Sequence, residues 1–368
     1  MAEATSNTVA DMAFPFPRFG ANKTGKPQTG KSKMHLFTIA AMTPLPLLLA
    51  ASAFGGFWAL AAFVYMTVLA ASLDALVARV SPAARGEEFP AANALSITLA
   101  FGHFAALAAA VAGLSGNWLG SWEKVALFLA AGMFLGQVGN SNAHELIHRP
   151  GRGLRRLGRM VYRSHLFGHH GSAHLLVHHL AVATSDDPNT ARAGESFYRF
   201  APRAWRGSFR KGFRAESERL ARRGGGFWRH PYFGDLLVTM ALVAAALANG
   251  GPAALAAFLG LAAYATIQLL MSDYVQHYGL TRAVRENGKP EPVGPQHSWD
   301  SAHWFTSGLM LNAPRHSDHH LNPQKPYPAL DLIGAPRLPY GLPVMATLAL
   351  MPRLWRRVMD PRLSALTL

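Results

Sequence analysis

Crossing a bilayer takes roughly 20 consecutive, mostly apolar residues, and six stretches of this chain are that long and that apolar, at about 35–53, 57–78, 91–113, 123–143, 232–250 and 253–275. The links after the first (FGG), third (LSGNWLGSW) and fifth (NGGP) contain no Lys or Arg. The N-terminal segment, the 144–231 segment and the C-terminal segment are basic, and the 79–90 link carries Arg79 and Arg85. Because basic loops stay on the cytoplasmic side, the pattern predicts an all-α, six-transmembrane-helix integral membrane protein with both termini and both long segments in the cytoplasm. A further apolar run at 338–351 is short, holds Pro339 and Pro343, and lies between Arg337 and Arg353. It is expected at the interface or in the cytoplasmic core.

Composition agrees with this pattern. Half of the residues are apolar, yet 35 Lys+Arg stand against 20 Asp+Glu, which fits a membrane protein with a charged cytoplasmic face. No nucleic-acid partner is expected. Residues 1–33 are polar and rich in Pro, Gly and Lys, without the apolar stretch of a secretory signal, and are expected to be a mobile cytoplasmic tail. Residues 34–368 then form a single membrane domain. The chain contains no cysteine, which excludes disulfides, thiolate-ligated haem, iron–sulfur clusters and C-x2-C metal knuckles. Redox chemistry would need electrons from another protein or an organic cofactor.

Histidine changes the picture from architecture to chemistry. Of 17 histidines, 15 follow residue 143, gathered at the ends of the fourth and sixth spans and in the two long cytoplasmic segments. In NSNAHELIHRP, His144 and His148 are four residues apart, a helical spacing that sends both imidazoles from one face toward one ion. The same string fits the zinc-protease pattern H-E-x-x-H, but a mainly transmembrane helix is a poor setting for a protease. The stretch SHLFGHHGSAHLLVHH contains H-x3-HH twice, as His165/His169/His170 and as His174/His178/His179. On a straight helix the two triplets face opposite ways, so one site cannot use both, and periodicity does not choose between them. PRHSDHH adds His316, His319 and His320, and SDYVQHYGL adds His277. Imidazole suits several divalent ions. Carboxylates near these histidines in sequence, Glu145, Asp187, Asp273, Asp300 and Asp318, are candidates to orient ligating rings or are ordinary capping acids.

The ordered strings HELIHR, HH followed by LAVATSDDPNTARAGESFYRF, then HYGL and RHSDHH resemble the bacterial membrane alkane 1-monooxygenases and the related xylene-type side-chain hydroxylases, from about residue 35 to the end. These are relatives of the membrane fatty acid desaturases, whose H-x3-H and H-x2-HH clusters the histidine spacing alone would also fit. In the alkane family the second cluster reads E-H-x-x-G-H-H with V-A-T close behind. Here VAT begins three residues after His179, which aligns His174, His178 and His179 with the family's ligands and leaves His165, His169 and His170 outside them. Ala173 and Val177 stand where that family has Glu and Gly, and Gln276 where Glu is usual.

The resemblance implies two iron ions held by His144, His148, His174, His178, His179, His277, His316, His319 and His320. It further implies hydroxylation of the terminal methyl group of an alkane with O2, in the bacterial inner membrane, with electrons from an acidic rubredoxin served by a flavin reductase and NADH. The alternatives are an aryl-methyl hydroxylase of the xylene type and a fatty-acyl desaturase or hydroxylase. A metal transporter would carry its ligands along the spans, whereas these histidines gather on one side. Trp58, Tyr65, Phe101 and Phe104 are bulky candidates for a substrate channel, with packing or lipid contact as the plainer alternative. Arg199, Arg203, Arg206, Arg210 and Arg214 fall on one helical face, fit for an acidic donor or for anionic lipid beside Trp205, Phe209 and Phe213.

Overall fold

Runs of Ala, Leu and Phe with few breakers favour long helices, and helices are what the computed structural model contains. It describes residues 30–76 and 90–366, and among these there is no strand, only two isolated bridges. Residues 1–29 of the expected tail and most of the 79–90 link lie outside the described residues, and residues 30–33 already belong to a helix, Gly30–Met42. Four helices are long and apolar enough to cross a membrane: α1 (Met34–Phe54), α2 (Gly56–Leu76), α3 (Ala92–Ser115) and α8 (Pro231–Gln276). Between α3 and α8 come α4 (residues 121–148), α5 (Arg152–Ser164), α6 (residues 170–181) and α7 (Phe197–Ala221). After α8 follow α9 (Trp304–Leu309), α10 (His316–Leu321), α11 (Leu342–Ala349) and α12 (Pro352–Ser364).

Breaks in regular geometry shape α8 and α4. The backbone of α8 leaves helical geometry at Gly250 (φ −155°) and Gly251 (φ +62°), and Pro252 follows. Proline cannot continue the preceding turn but suits the start of a new one, so α8 is two helices joined at NGGP. In α4, a π-helical turn at Phe134–Gly139 separates α-helical halves at Ser121–Met133 and Asn140–His148.

The three links without Lys or Arg meet at one end of the bundle. Gly55 adopts φ +60° between α1 and α2, and a Cβ there would lie 2.6 Å from the Glu123 carboxylate. That carboxylate accepts from the Gly56 and Gly120 amides at 2.5 and 2.6 Å, tying FGG to the start of α4. The Trp118 indole donates to the Ser52 carbonyl at 3.0 Å. Gly250 lies beside Ser115 at the end of α3. The histidine-bearing segments occupy the other end.

Alanine-rich faces of α1 to α4 and the second half of α8 make one core. A second core of larger side chains, among them Tyr162, Tyr274, Tyr278, Trp299 and Trp355, surrounds the histidine-rich end. The 338–351 run contributes α11, whose Leu342, Met345 and Ala349 are buried in this second core. Asp235 on α8 locks α5 in place, accepting from Arg159 at 3.0 and 2.7 Å and from Arg163 at 2.8 Å. Removing one partner of a largely buried charge group leaves the others uncompensated. Asp235→Ala is therefore expected to destabilise the protein by about 3 kcal/mol, read as a lower melting temperature of the purified protein, whereas Asp186→Ala, at an exposed pair with Lys211, should change it by less than about 1 kcal/mol.

Candidate metal centre

The second core holds the end of α4, the end of α8 and, through Leu175, α6. The end of α4 brings His144 and His148, α6 brings His174, His178 and His179, the residue after α8 is His277, and α10 brings His316, His319 and His320. These nine side chains converge as two groups: His144, His148, His174, His179 and His319 in one, His178, His277, His316 and His320 in the other. Within each group the candidate ligand atoms all lie within 4.8 Å of one another.

A π-helical turn explains how α6 serves both groups. Its residues His174–His178 are wound as a π-helix, in which residues five apart align. His174 and His179 consequently bring their Nε2 atoms to 3.0 Å, while His178 turns toward the other group. The remaining approaches have the same character. Nε2–Nε2 separations are 2.9 Å for His144–His174, 3.1 Å for His179–His319, 3.1 Å for His277–His316 and 3.1 Å for His316–His320.

The donor set fits metal ions. Nitrogens bound to one ion at about 2.1 Å and at right angles would stand about 3 Å apart, which matches these separations. Burial, reinforced by neighbouring imidazoles, holds His174, His179, His316, His319 and His320 well below the usual imidazole range and brings His148 and His277 down to about 3. The rings are neutral at physiological pH, so their lone pairs are available. An all-imidazole set suits Zn, Cu, Fe and Ni rather than Mg or Ca.

Outer partners orient two of the rings. His178 Nδ1 donates to Asp187 Oδ2 at 2.8 Å, leaving a buried Nε2 with no hydrogen-bond partner among the described residues. Burial opposes a charge on His178, but the Asp187 carboxylate more than offsets it and holds the ring above its usual value. His277 Nδ1 faces the His297 carbonyl at 3.3 Å, a contact that no sequence spacing announces. Among the five candidate acids, Asp187 is the one whose carboxylate bonds to the ring of a cluster histidine. Asp273 accepts from Asn189 at 2.5 Å, and Asn189 donates its amide to Asp187 at 3.0 Å. Asp300 accepts the Ser317 amide at 2.9 Å and so fixes the start of α10. Asp318 accepts from Lys325 and the Asp331 amide, and Glu145 pairs with Arg149. Gln276 bonds to Ser272 and the Ala313 carbonyl.

The other histidine triplet falls outside both groups. His165 packs against His103 with ring centroids 4.7 Å apart, His169 lies against Trp205 and Phe209, and His170 against Tyr162 and Phe167. A cavity reaches the groups at His144, His174 and His316, walled by the π-turn of α4, the second half of α8 and α11. None of Trp58, Tyr65, Phe101 and Phe104 lines it: Trp58 and Phe101 face outward, Tyr65 bonds to the Ala40 carbonyl at 3.0 Å, and Phe104 packs on His103. On α7, Arg199, Arg206, Arg210 and Arg214 are exposed. Arg203 is not part of that open surface, since Glu195 and two backbone carbonyls hold it.

The chain is 36% identical over 268 residues to alkane 1-monooxygenase of Pseudomonas putida, and 36% over 263 residues to alkane 1-monooxygenase 1 of Alcanivorax borkumensis; each alignment covers 71% of this chain and 65% of the relative. It thus spans about two thirds of the length of these relatives. It is also 29% identical over 224 residues to the xylene/toluene monooxygenase hydroxylase component of Pseudomonas putida, covering 58% of this chain and 57% of the relative. A family model for fatty acid desaturases matches residues 117–347, an interval that takes in both histidine groups, the π-turns that shape them and the cavity that reaches them, and the chain belongs to that family.

Proposed function

We propose that the protein is the hydroxylase of an alkane 1-monooxygenase system, converting R–CH3, O2, two electrons and two protons to R–CH2OH and water. The observation that carries this is the convergence of nine imidazoles, six of them buried and three half-buried, into two groups at one end of apolar helices, with a cavity opening onto both. His144, His148, His174, His179 and His319 would hold one iron ion, and His178, His277, His316 and His320 the other. The bound pair would supply O2 activation for attack on an unactivated C–H bond. The family match, the alkane and xylene monooxygenase relatives and the exclusion of thiolate ligands by composition all support it.

The chain's own residues hold and shield. Asp187 and the His297 carbonyl keep His178 and His277 in the tautomer that turns Nε2 inward. The apolar side of the cavity, Leu269, Met310, Leu342 and Ala346, would seat an alkyl chain and exclude water. Division of α8 at NGGP, together with the unbroken run of α4, supports six spans. The basic histidine-bearing end supports a cytoplasmic site and cytoplasmic termini in the bacterial inner membrane.

The test is product analysis on membranes supplied with NADH, rubredoxin and its reductase, using octane, p-xylene and a fatty acyl substrate under 18O2. Labelled octan-1-ol is the expected major product. A labelled benzylic alcohol from xylene alone would move the assignment to the aryl-methyl hydroxylases, and an unsaturated acyl product to the desaturases.

Electrons have to come from outside, since the sequence has no cysteine, flavin motif or G-x-G-x-x-G string. The exposed arginines of α7 are the docking surface we assign to an acidic rubredoxin. Arg206→Glu with Arg210→Glu is expected to raise the rubredoxin concentration for half-maximal rate about tenfold at low salt, with iron content retained. Added salt should weaken the wild type in the same direction. Unchanged donor dependence in a normally inserted double variant would instead make this helix a lipid-facing element, with Trp205 and Phe209 at the acyl boundary.

A further inference from the structure

Four arginines of α5 fall on one face. Arg152, Arg155, Arg156 and Arg159 stand at i, i+3, i+4 and i+7, a spacing that stacks them along one side of the helix, where like charges repel. That side walls a second pocket, of about 560 Å3, completed by Arg219 in the last turn of α7 and Arg229 just before α8. Its volume is in the range of small-molecule sites, roughly 300–1,000 Å3. None of the exposed α7 arginines assigned to the electron donor lines it.

The protein neutralises only part of this charge. Glu216 is the carboxylate in the wall, and it is already engaged, accepting from Arg219 at 2.6 Å and from Ser172 Oγ at 2.7 Å. Arg159 bonds to Asp235 and Ser172, and Arg155 to the Arg149 and Pro150 carbonyls. Arg152, Arg156 and Arg229 form no ion pair with any described residue, and all three are exposed. An incoming anion can therefore reach three uncompensated guanidinium groups from two sides of one concavity.

The depth of the pocket says what carries the anion. Ile147, at the end of α4, and Pro231, the first residue of α8, both line it. Directly before Arg229, Phe227 and Trp228 are exposed, and Trp228 packs on Phe233 of α8 with ring centroids 4.9 Å apart. The next turns of α8 turn Leu236, Leu237 and Met240 outward. Aromatic and basic residues at the end of an apolar helix mark the level of lipid headgroups. Leu175 and Leu176 give the same pocket an apolar side.

We infer that this pocket binds the phosphate of an anionic phospholipid headgroup, with Arg152, Arg156 and Arg229 receiving its oxygens. The inference rests on the reading of α4 and α8 as membrane spans, and it is independent of the reaction. The guanidinium fork matches phosphate oxygens, and basic pockets between membrane helices on the cytoplasmic side take such headgroups. A bound lipid would also brace the metal centre, because Arg159 holds Ser172 at 3.0 Å and Ser172 stands two residues before His174 on α6.

The iron-loaded full-length protein in neutral detergent is titrated with phosphatidylglycerol, with phosphatidylcholine and with inorganic phosphate. Melting temperature and lipid phosphorus retained per chain after gel filtration are read without turnover. Phosphatidylglycerol is expected to raise the melting temperature by several degrees and to remain bound, whereas phosphatidylcholine and phosphate do neither. Arg152→Gln with Arg156→Gln should weaken phosphatidylglycerol binding at least tenfold, and Arg229→Gln, on the other side, several-fold. Arg353→Gln with Arg357→Gln, which removes the same charge from exposed positions on α12, should change it less than twofold. Without lipid all these variants should melt with the wild type, since the arginines removed have no ion-pair partner among the described residues, and this separates lost binding from misfolding.

Unchanged phosphatidylglycerol binding in the Arg152/Arg156 double variant overturns the inference. An equal loss in the α12 variant overturns it as well, leaving a diffuse attraction to a basic surface. Inorganic phosphate binding as tightly as phosphatidylglycerol would make the pocket a site for a soluble anion. A double variant that keeps its lipid but needs more rubredoxin for half-maximal rate would assign the pocket to the electron donor. Failure of hydroxylation would leave each of these readouts intact.

Discussion

Alanine at His178 is expected to remove at least half of the bound iron and all measurable hydroxylation, while alanine at His165 leaves the iron content near the wild-type value. The two histidines belong to the two copies of the doubled H-x3-HH pattern and are both almost fully buried. They differ in what surrounds them. His178 Nε2 stands in a group with His277, His316 and His320, its Nδ1 pinned by Asp187. Among the described residues His165 has His103 alone as a ring neighbour, too few donors to hold an ion. His178→Ala also strands a buried carboxylate, which destabilises by about 3–5 kcal/mol. His178→Ala combined with Asp187→Asn removes that charge and keeps metal loss separable from misfolding. Iron per chain is measured by colorimetric chelation on membrane-extracted protein of matched yield. If His165→Ala loses iron and His178→Ala keeps it, the histidine assignment is reversed.

Much of this arrangement was legible as hydropathy and as residue identity. The six apolar stretches correspond to α1, α2, α3, the first part of α4 and the two halves of α8, because chain length and apolarity alone decide those. The nine histidines came from motif order rather than spacing, and their division into two groups could not be read from either. An α-helical spacing pairs His174 with His178, whereas the π-turn pairs His174 with His179 and sends His178 away. One inserted residue in a hydrogen-bond ladder leaves no mark in composition. Tertiary contacts also decided the acids: of five carboxylates near histidines in sequence, only Asp187 bonds to a cluster imidazole ring, and the second orienting acceptor is a backbone carbonyl, which has no sequence identity at all. The cavity escaped prediction for the opposite reason. Bulky aromatic residues were the natural candidates for an alkane channel, and the residues that line it where α4 meets α8 include amides and small side chains, brought together by the close approach that Gly136 allows.

Asp187→Asn is expected to lower iron affinity by about 10–100-fold without displacing any of the nine imidazoles. The carboxylate accepts at both oxygens: Oδ1 from the Asn189 amide at 3.0 Å, Oδ2 from His178 Nδ1 at 2.8 Å and from Thr190 Oγ1 at 2.8 Å. An asparagine in its place has one acceptor and one donor end. With its NH2 at the Oδ1 position, donor meets donor at Asn189. With its NH2 at the Oδ2 position, it donates to His178 Nδ1 and forces the ring proton onto Nε2, the atom that must present a lone pair to the metal. Either orientation weakens the inward-facing tautomer. Thr190→Val removes the hydroxyl's bond to Asp187 and its acceptance from the Ala183 amide but leaves the carboxylate–imidazole contact intact, so its effect on iron affinity should stay below about tenfold. Competition with a chelator of known affinity measures both variants, and charge-transfer absorption of the loaded protein reports whether the ligand field has changed. Wild-type iron affinity in Asp187→Asn would mean that the packing around α6, and not this carboxylate, holds His178 in place.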